Sequence, residues 1–148
     1  MELREASMTN TWVTMELARA HYEACDRLSL APKELSELGN AVGRRVANPF
    51  FGTIVRMAKS GGVTPWTPLA RVGSAWGRAY RGSGITVYKL APKDAELHIQ
   101  RNELASIGYW VEALASLMRG TAEIFARKAF CKPIAVHGGE VRYSLAWA

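Results

Sequence analysis

Few side chains in this sequence are of types that do chemistry, and they are scattered. Cys25 and Cys131 are its two cysteines. They are far apart, each in an apolar context, and form no ligand pair. A structural zinc site needs clustered Cys and His, and a disulfide scaffold needs more cysteines in a shorter chain. They read as reduced thiols of a cytoplasmic protein. Lys128 and Lys132 flank Cys131 and would favour its thiolate, the nucleophilic form, but a cysteine opening an apolar strand reads first as a buried, inert thiol. His98 stands two residues from Glu96, as an acid-base pair might be spaced. A solvated sheet edge is the simpler reading. His21 lies on an apolar helix face and reads as a packed residue, not a haem ligand. Arg81-Gly82-Ser83-Gly84 has the composition of a phosphate loop but precedes a strand, so it lacks the amides of a helix amino terminus and reads as a turn. No GxSxG elbow, P-loop, HExxH or paired-cysteine metal signature occurs. With no convergent set of catalytic groups the chain reads as non-enzymatic, with no metal site and no cofactor.

Aromatic side chains are the remaining resource. Trp66, Trp76, Tyr80, Tyr88, Tyr109, Trp110 and Trp147 all fall between residues 66 and 148, and Met118 lies near them in the helical order. Five tryptophans in 148 residues can line an apolar pocket or anchor a flat interface. The candidate ligand-binding residues are therefore Trp66, Trp76, Tyr80, Tyr88, Tyr109, Trp110 and Met118, with ordinary core packing as the competing account.

The elements that must position them follow from hydrophobic period. Residues 1–10 form a loose polar lead. Thr11 or Thr14 caps a first helix reaching Leu28, with Trp12, Met15, Leu17, Ala18, His21, Tyr22 and Cys25 near helical spacing. Pro32 suits the first turn of a second helix, Lys33 to Val46, whose apolar face is Leu35, Leu38, Val42 and Val46. Asn48-Pro49 breaks it. A third, shorter helix holds Phe50, Phe51, Ile54, Val55 and Met57 and ends at Ser60-Gly61-Gly62. A fourth helical segment opens at Thr64-Pro65-Trp66, carries Leu69, Val72, Trp76 and Tyr80, and closes at Arg81-Gly82-Ser83-Gly84.

There the period changes. Ile85 to Leu90 and Ala95, Leu97 and Ile99 flank a Pro92-Lys93-Asp94 turn and make an antiparallel hairpin with one wet face. Leu104, Ile107, Val111, Leu114, Met118 and Phe125 then follow a three-four rhythm, predicting one helix from an Asn102 cap to Lys128, roughly 40 Å long. Gly108 and Gly120 weaken it by about 1 kcal/mol each relative to alanine, which implies helix-on-sheet packing or close approach by another element. On this helix Tyr109 and Trp110 fall toward the flank, and Trp110 marks a dimer surface if the earlier helices leave that flank bare. A second hairpin closes the chain. Cys131 to Val136 is one strand, His137-Gly138-Gly139-Glu140 the turn, and Val141, Tyr143, Leu145 and Trp147 alternate with Arg142, Ser144 and Ala146.

Composition bounds the rest. A chain of 148 residues, 49% hydrophobic, matches one domain (1–148), with a helical half over 11–83 and a ββ-α-ββ half over 84–148. The net charge of +6 is spread from Arg4 to Arg142 without a basic stripe, so nucleic acid is not the expected partner. No apolar run is long enough to span a bilayer, and the amino terminus lacks the apolar core of an export signal. Membrane insertion is not expected.

The ββ-α-ββ ending resembles the superfamily that joins 4-vinyl-reductase domains, TRAPP vesicle-tethering subunits and haem-NO-binding domains, and looks closest to an uncharacterised branch abundant in myxobacteria. The pieces that carry the resemblance are Gly84-Ile85-Thr86-Val87, the helix stretch from Leu114 to Gly120, Cys131, and the run from Gly138 to Trp147. It covers roughly 66–148. It implies an α+β fold with a helical layer on a four-stranded antiparallel sheet, often homodimeric and often with an apolar cavity between helices and sheet. The zinc cysteines of 4-vinyl-reductase relatives are matched only by Cys131, with Arg142 where a later cysteine is expected. The Tyr-x-Ser-x-Arg motif of the haem-binding relatives does not occur. Two functions remain: a homodimeric interaction or regulatory module resembling tethering subunits, binding a protein partner or itself, and a sensor holding an apolar or aromatic small molecule between the long helix and the sheet.

Overall fold

A four-stranded antiparallel sheet, in the order β1-β2-β4-β3, is the floor on which the helices pack. The computed structural model describes residues 13–39, 41 and 61–148. The strands are β1 (Gly84–Ala91), β2 (Asp94–Gln100), β3 (Ala129–His137) and β4 (Glu140–Trp147). Two hairpins, β1–β2 and β3–β4, are joined side by side through β2 and β4. Central strands with one face on the core should alternate, because side chains point to opposite faces with period two. They do: Ala95, Leu97, Ile99, Val141, Tyr143 and Leu145 are each at most 2% exposed, while their neighbours in sequence face outward. Register Leu97↔Tyr143 and Ile99↔Val141 puts these on one surface.

The helical layer comprises α1 (Met15–Asp26), α2 over 32–39, α3 (Trp66–Leu69), α4 (Val72–Ala79) and α5 (Gly108–Glu123). Thr14 caps α1 by accepting the Leu17 N–H at 3.2 Å, and Ser29, at φ 49°, turns the chain away after it. In α2, Leu35 is buried and Leu38 is 45% exposed. Gly39 abuts α5 so closely that a Cβ there would lie 2.2 Å from the Ser116 Cβ. Trp12, the Val42 and Val46 end of the second predicted helix, and the third predicted helix at Phe50–Met57 lie outside the described residues.

Two expectations are corrected. The fourth helical segment is two helices, because the Arg71 N–H closes a tight turn on the Pro68 carbonyl at 3.0 Å and Arg71 (φ −109°, ψ −3°) stands at the N-cap of the next helix. The long helix is also interrupted. Asn102 spends its side chain on the Leu104 N–H of a single 3-10 turn, Glu103–Ser106, and Ile107 is extended (φ −103°, ψ 113°). The α-helix starts only at Gly108 and runs 16 residues, about 24 Å. Asn102 is held in that role from three sides. Its N–H donates to the Gly139 carbonyl at 2.9 Å, its amide nitrogen to Ser83 Oγ at 3.3 Å, and it is 1% exposed. The start of the helix is thus latched to both hairpins.

Among the described residues no helix is long and apolar enough to cross a membrane.

Candidate functional site

The aromatic residues do not form one cluster. The structure divides them among four places. Trp76, Tyr80 and Trp110 form a core trio, with ring centroids 4.5 Å apart for Trp76–Tyr80 and 6.1 and 6.3 Å for the pairs with Trp110. Trp66 packs edge-on against Trp147 at 4.9 Å, under the Lys89 ammonium, with its indole N–H on the Pro92 carbonyl at 2.7 Å. Tyr109 meets Tyr22 of α1 at 6.2 Å. Tyr88 is on the opposite, outward face of the sheet, against His98.

Trp110 is 2% exposed. The flank that would have made it an interface residue is covered, because Trp76 and Tyr80 close over the indole. Trp76 is itself held by its N–H, which donates to Ser83 Oγ at 2.9 Å; that hydroxyl in turn donates to the Gln100 carbonyl at 3.0 Å. The Arg81–Gly84 turn is therefore the anchor of the aromatic trio, a role its sequence did not disclose.

An apolar cavity of about 180 Å³ lies between α3, α4, α5 and the sheet. Trp76 and Met118 of the candidate residues line it. The rest of the wall comes from residues that sequence reading assigned to ordinary packing, among them Pro65, Leu69, Leu117 and Leu145. Their signal was not separable from that of any core aliphatic, because only the third dimension reveals that they fail to touch one another. Among the described residues Thr121 brings the one hydroxyl to the wall, and its O–H is committed to the Leu117 carbonyl at 2.9 Å. A second cavity, of about 340 Å³, lies where α1, α2, β3 and the start of α5 meet; Tyr109, Cys25, Asp26 and Glu112 contribute to its lining. There Asp26 Oδ1 accepts the Tyr109 N–H at 2.6 Å. Gly108 permits this approach, since a Cβ on it would lie 3.3 Å from that oxygen.

Burial keeps the nearby titratable groups neutral. It pushes the Tyr22 phenol up to about 12 and the Cys131 thiol up to about 12, the nearby Arg119 opposing only in part for the thiol. The Tyr143 phenol is raised as well by burial, and it donates to the Val111 carbonyl at 3.0 Å. Cys131 is thus held as an unreactive thiol at neutral pH. On the outer face, His98 and Arg142 both hydrogen-bond to Glu96 Oε1. Those bonds, the His98 bond first, hold the Glu96 carboxyl below the usual range. The pair sits on central strand β2, not on a sheet edge, with Glu96 saturated by partners. Among the described residues no three His, Cys, Asp or Glu side chains gather as a metal site.

No family model matches the chain, and no curated protein matches it in sequence. Solved structures do match in shape. A trafficking protein particle complex subunit 3 from Naegleria fowleri, covalently bound to palmitic acid, superposes with a TM-score of 0.65 at 11% identity, covering 90% of this chain and 95% of that one. The Fe(II) unliganded H-NOX protein from K. algicida superposes with a TM-score of 0.57 at 14% identity, covering 82% of this chain and 66% of that one. The chain therefore has the α+β fold, helices packed on a four-stranded antiparallel sheet, that a TRAPP subunit and an H-NOX protein share.

Proposed function

We propose that this chain is a non-enzymatic regulatory module that holds an apolar small molecule between its helical layer and its sheet. The observation that carries the reading is the cavity of about 180 Å³ walled by α3, α4, α5, β2 and β4. Protein interiors are packed like organic crystals and hold few voids larger than a water, and an apolar hollow of this kind is the default binding site of a domain without catalytic groups. Two solved neighbours of this fold are a subunit covalently bound to palmitic acid and an Fe(II) unliganded H-NOX protein, which favours small-molecule occupancy in this architecture. Haem itself does not fit. Among the described residues, neither the cavity beneath α3 and α4 nor the one beside α1 is lined by a histidine that would ligate iron or by a basic residue that would hold propionates.

A second reading, a homodimeric adaptor resembling tethering subunits, is favoured by a different observation. Among the described residues no helix covers the outward sheet face, and Tyr88, Leu90 and Phe130 are 47–59% exposed; the overlay on the tethering subunit spans nearly its whole length. Trp110 no longer supports this reading, because it is buried.

Native mass spectrometry of the purified protein separates the two. A stoichiometric added mass, lost when Leu117→Trp fills the cavity, is the outcome expected for the regulatory module. A dimer without added mass that Tyr88→Glu converts to monomer would reverse the order.

A further inference from the structure

We infer that the cavity between α4, α5 and the sheet selects a small, uncharged, single-ring apolar molecule, and rejects both long acyl chains and haem. The inference rests on reading that cavity as a ligand site and concerns what fits it. Size is the first argument. At about 180 Å³ it is slightly larger than an engineered cavity of about 150 Å³ that stays dry and binds benzene. One ring with a short alkyl group fills such a space. The hollow opens to solvent on one side, so a long acyl chain or a porphyrin would leave most of its apolar surface outside it, in water.

Polarity is the second argument, and it is independent of the first. Among the described residues the wall side chains keep no donor for a ligand. Pro65 and Pro68 have no N–H to offer. The Trp76 N–H is spent on Ser83 Oγ and the Thr121 O–H on the Leu117 carbonyl, which leaves the Thr121 oxygen as an acceptor. A ligand carboxylate entering here would lose its water without gaining a donor, and a polar ligand group beyond reach of Thr121 would go unpaired, a cost of about 1–3 kcal/mol for a neutral group and more for a charge. The ring face of Trp76 and the thioether of Met118 on the same wall suit an aromatic guest, since sulfur and ring edges attract one another. The tertiary structure thus gives this cavity a preference opposite to that of a fatty-acid or haem pocket.

The test is an NMR titration of the full chain, following the Met118 ε-methyl resonance with toluene, palmitate and haemin as separate probes. Toluene should shift the resonance and saturate at one equivalent, with palmitate and haemin leaving it unmoved. Ala122→Leu, which extends a buried cavity-lining side chain into the space, should weaken toluene by about tenfold or more. A shift by palmitate or haemin but not by toluene would overturn the size and polarity inference while leaving the cavity as a ligand site. A toluene shift unchanged in the folded Ala122→Leu protein would place the molecule elsewhere and overturn it too. If none of the three probes shifts Met118, the ligand reading falls with the inference.

Discussion

Asp26 and Gly108 offer a sharp test of how α5 is made to begin where it does. Helix α5 lacks its own cap: Ile107 stands at the N-cap position with no side-chain hydrogen bond, and its first turn holds no acidic residue. Asp26, 83 positions away in sequence from the amide it binds, supplies that cap at 2.6 Å. An N-cap hydrogen bond contributes about 1 kcal/mol, and a carboxylate at the positive end of a helix about 0.3–1 kcal/mol more. Asp26 is solvent-exposed, so the lower part of that range applies to the charge. Asp26→Ala should therefore cost about 1–1.5 kcal/mol. Gly108→Ala brings a methyl group to 3.3 Å from the same oxygen. It should lose much of the cap while gaining up to about 1 kcal/mol of helix propensity, for a net effect near zero. Once Asp26 is alanine there is no cap left to lose, and Gly108→Ala should stabilise. Urea denaturation followed by far-ultraviolet circular dichroism, with equal m-values across the four proteins, measures the cycle. The expected coupling is about 1 kcal/mol. Additivity within about 0.3 kcal/mol would refute the cross-chain cap.

Three further outcomes are expected. Trp110→Glu should abolish the helical signal and the tryptophan near-ultraviolet signal together, because loss of a buried tryptophan costs about 3–5 kcal/mol before the charge is counted; a folded variant that had only lost a dimer would return Trp110 to the surface. The Glu96 carboxyl is lowered below 4.5 by its bonds to His98 and Arg142, so its contribution is complete above the unfolded-state value and is lost as pH falls through the folded one. Wild type should lose more melting temperature than Glu96→Gln on acidification below about 4.5; parallel curves would contradict this. With its thiol pushed up to about 12, Cys131 should be alkylated at pH 8 at least about tenfold more slowly than an unshifted thiol, the scarcity of thiolate outweighing its greater basicity. Mass spectrometry after timed iodoacetamide reads this, and rapid labelling of Cys131 in the folded protein would refute the burial argument.

The strand half of the fold was legible because its information is local. Alternation of Val141, Tyr143, Leu145 and Trp147 with smaller or polar neighbours specifies which face is buried, and the Gly138-Gly139 turn specifies the partner; both glycines adopt positive φ. The three-four rhythm from Leu104 to Met118 likewise told truly that a helix packs on the sheet, and the resemblance of the ending led to the fold that the solved neighbours share. What that rhythm could not tell was where the helix starts. The periodicity runs through Ile107 without a gap, whereas the Asn102 bonds to Gly139 and Ser83 pull the chain out of helical geometry there.

The fate of Trp110 turned on what packs over the flank of that helix. It is buried because Trp76 and Tyr80 close over the indole. The sequence by itself determined the pattern of faces and the hairpins, because side-chain period and turn chemistry act over a few residues. Only the tertiary structure decided which aromatics meet and where a cavity is left between them. Those outcomes depend on contacts between segments tens of residues apart, where a void is defined by neighbours that do not quite touch.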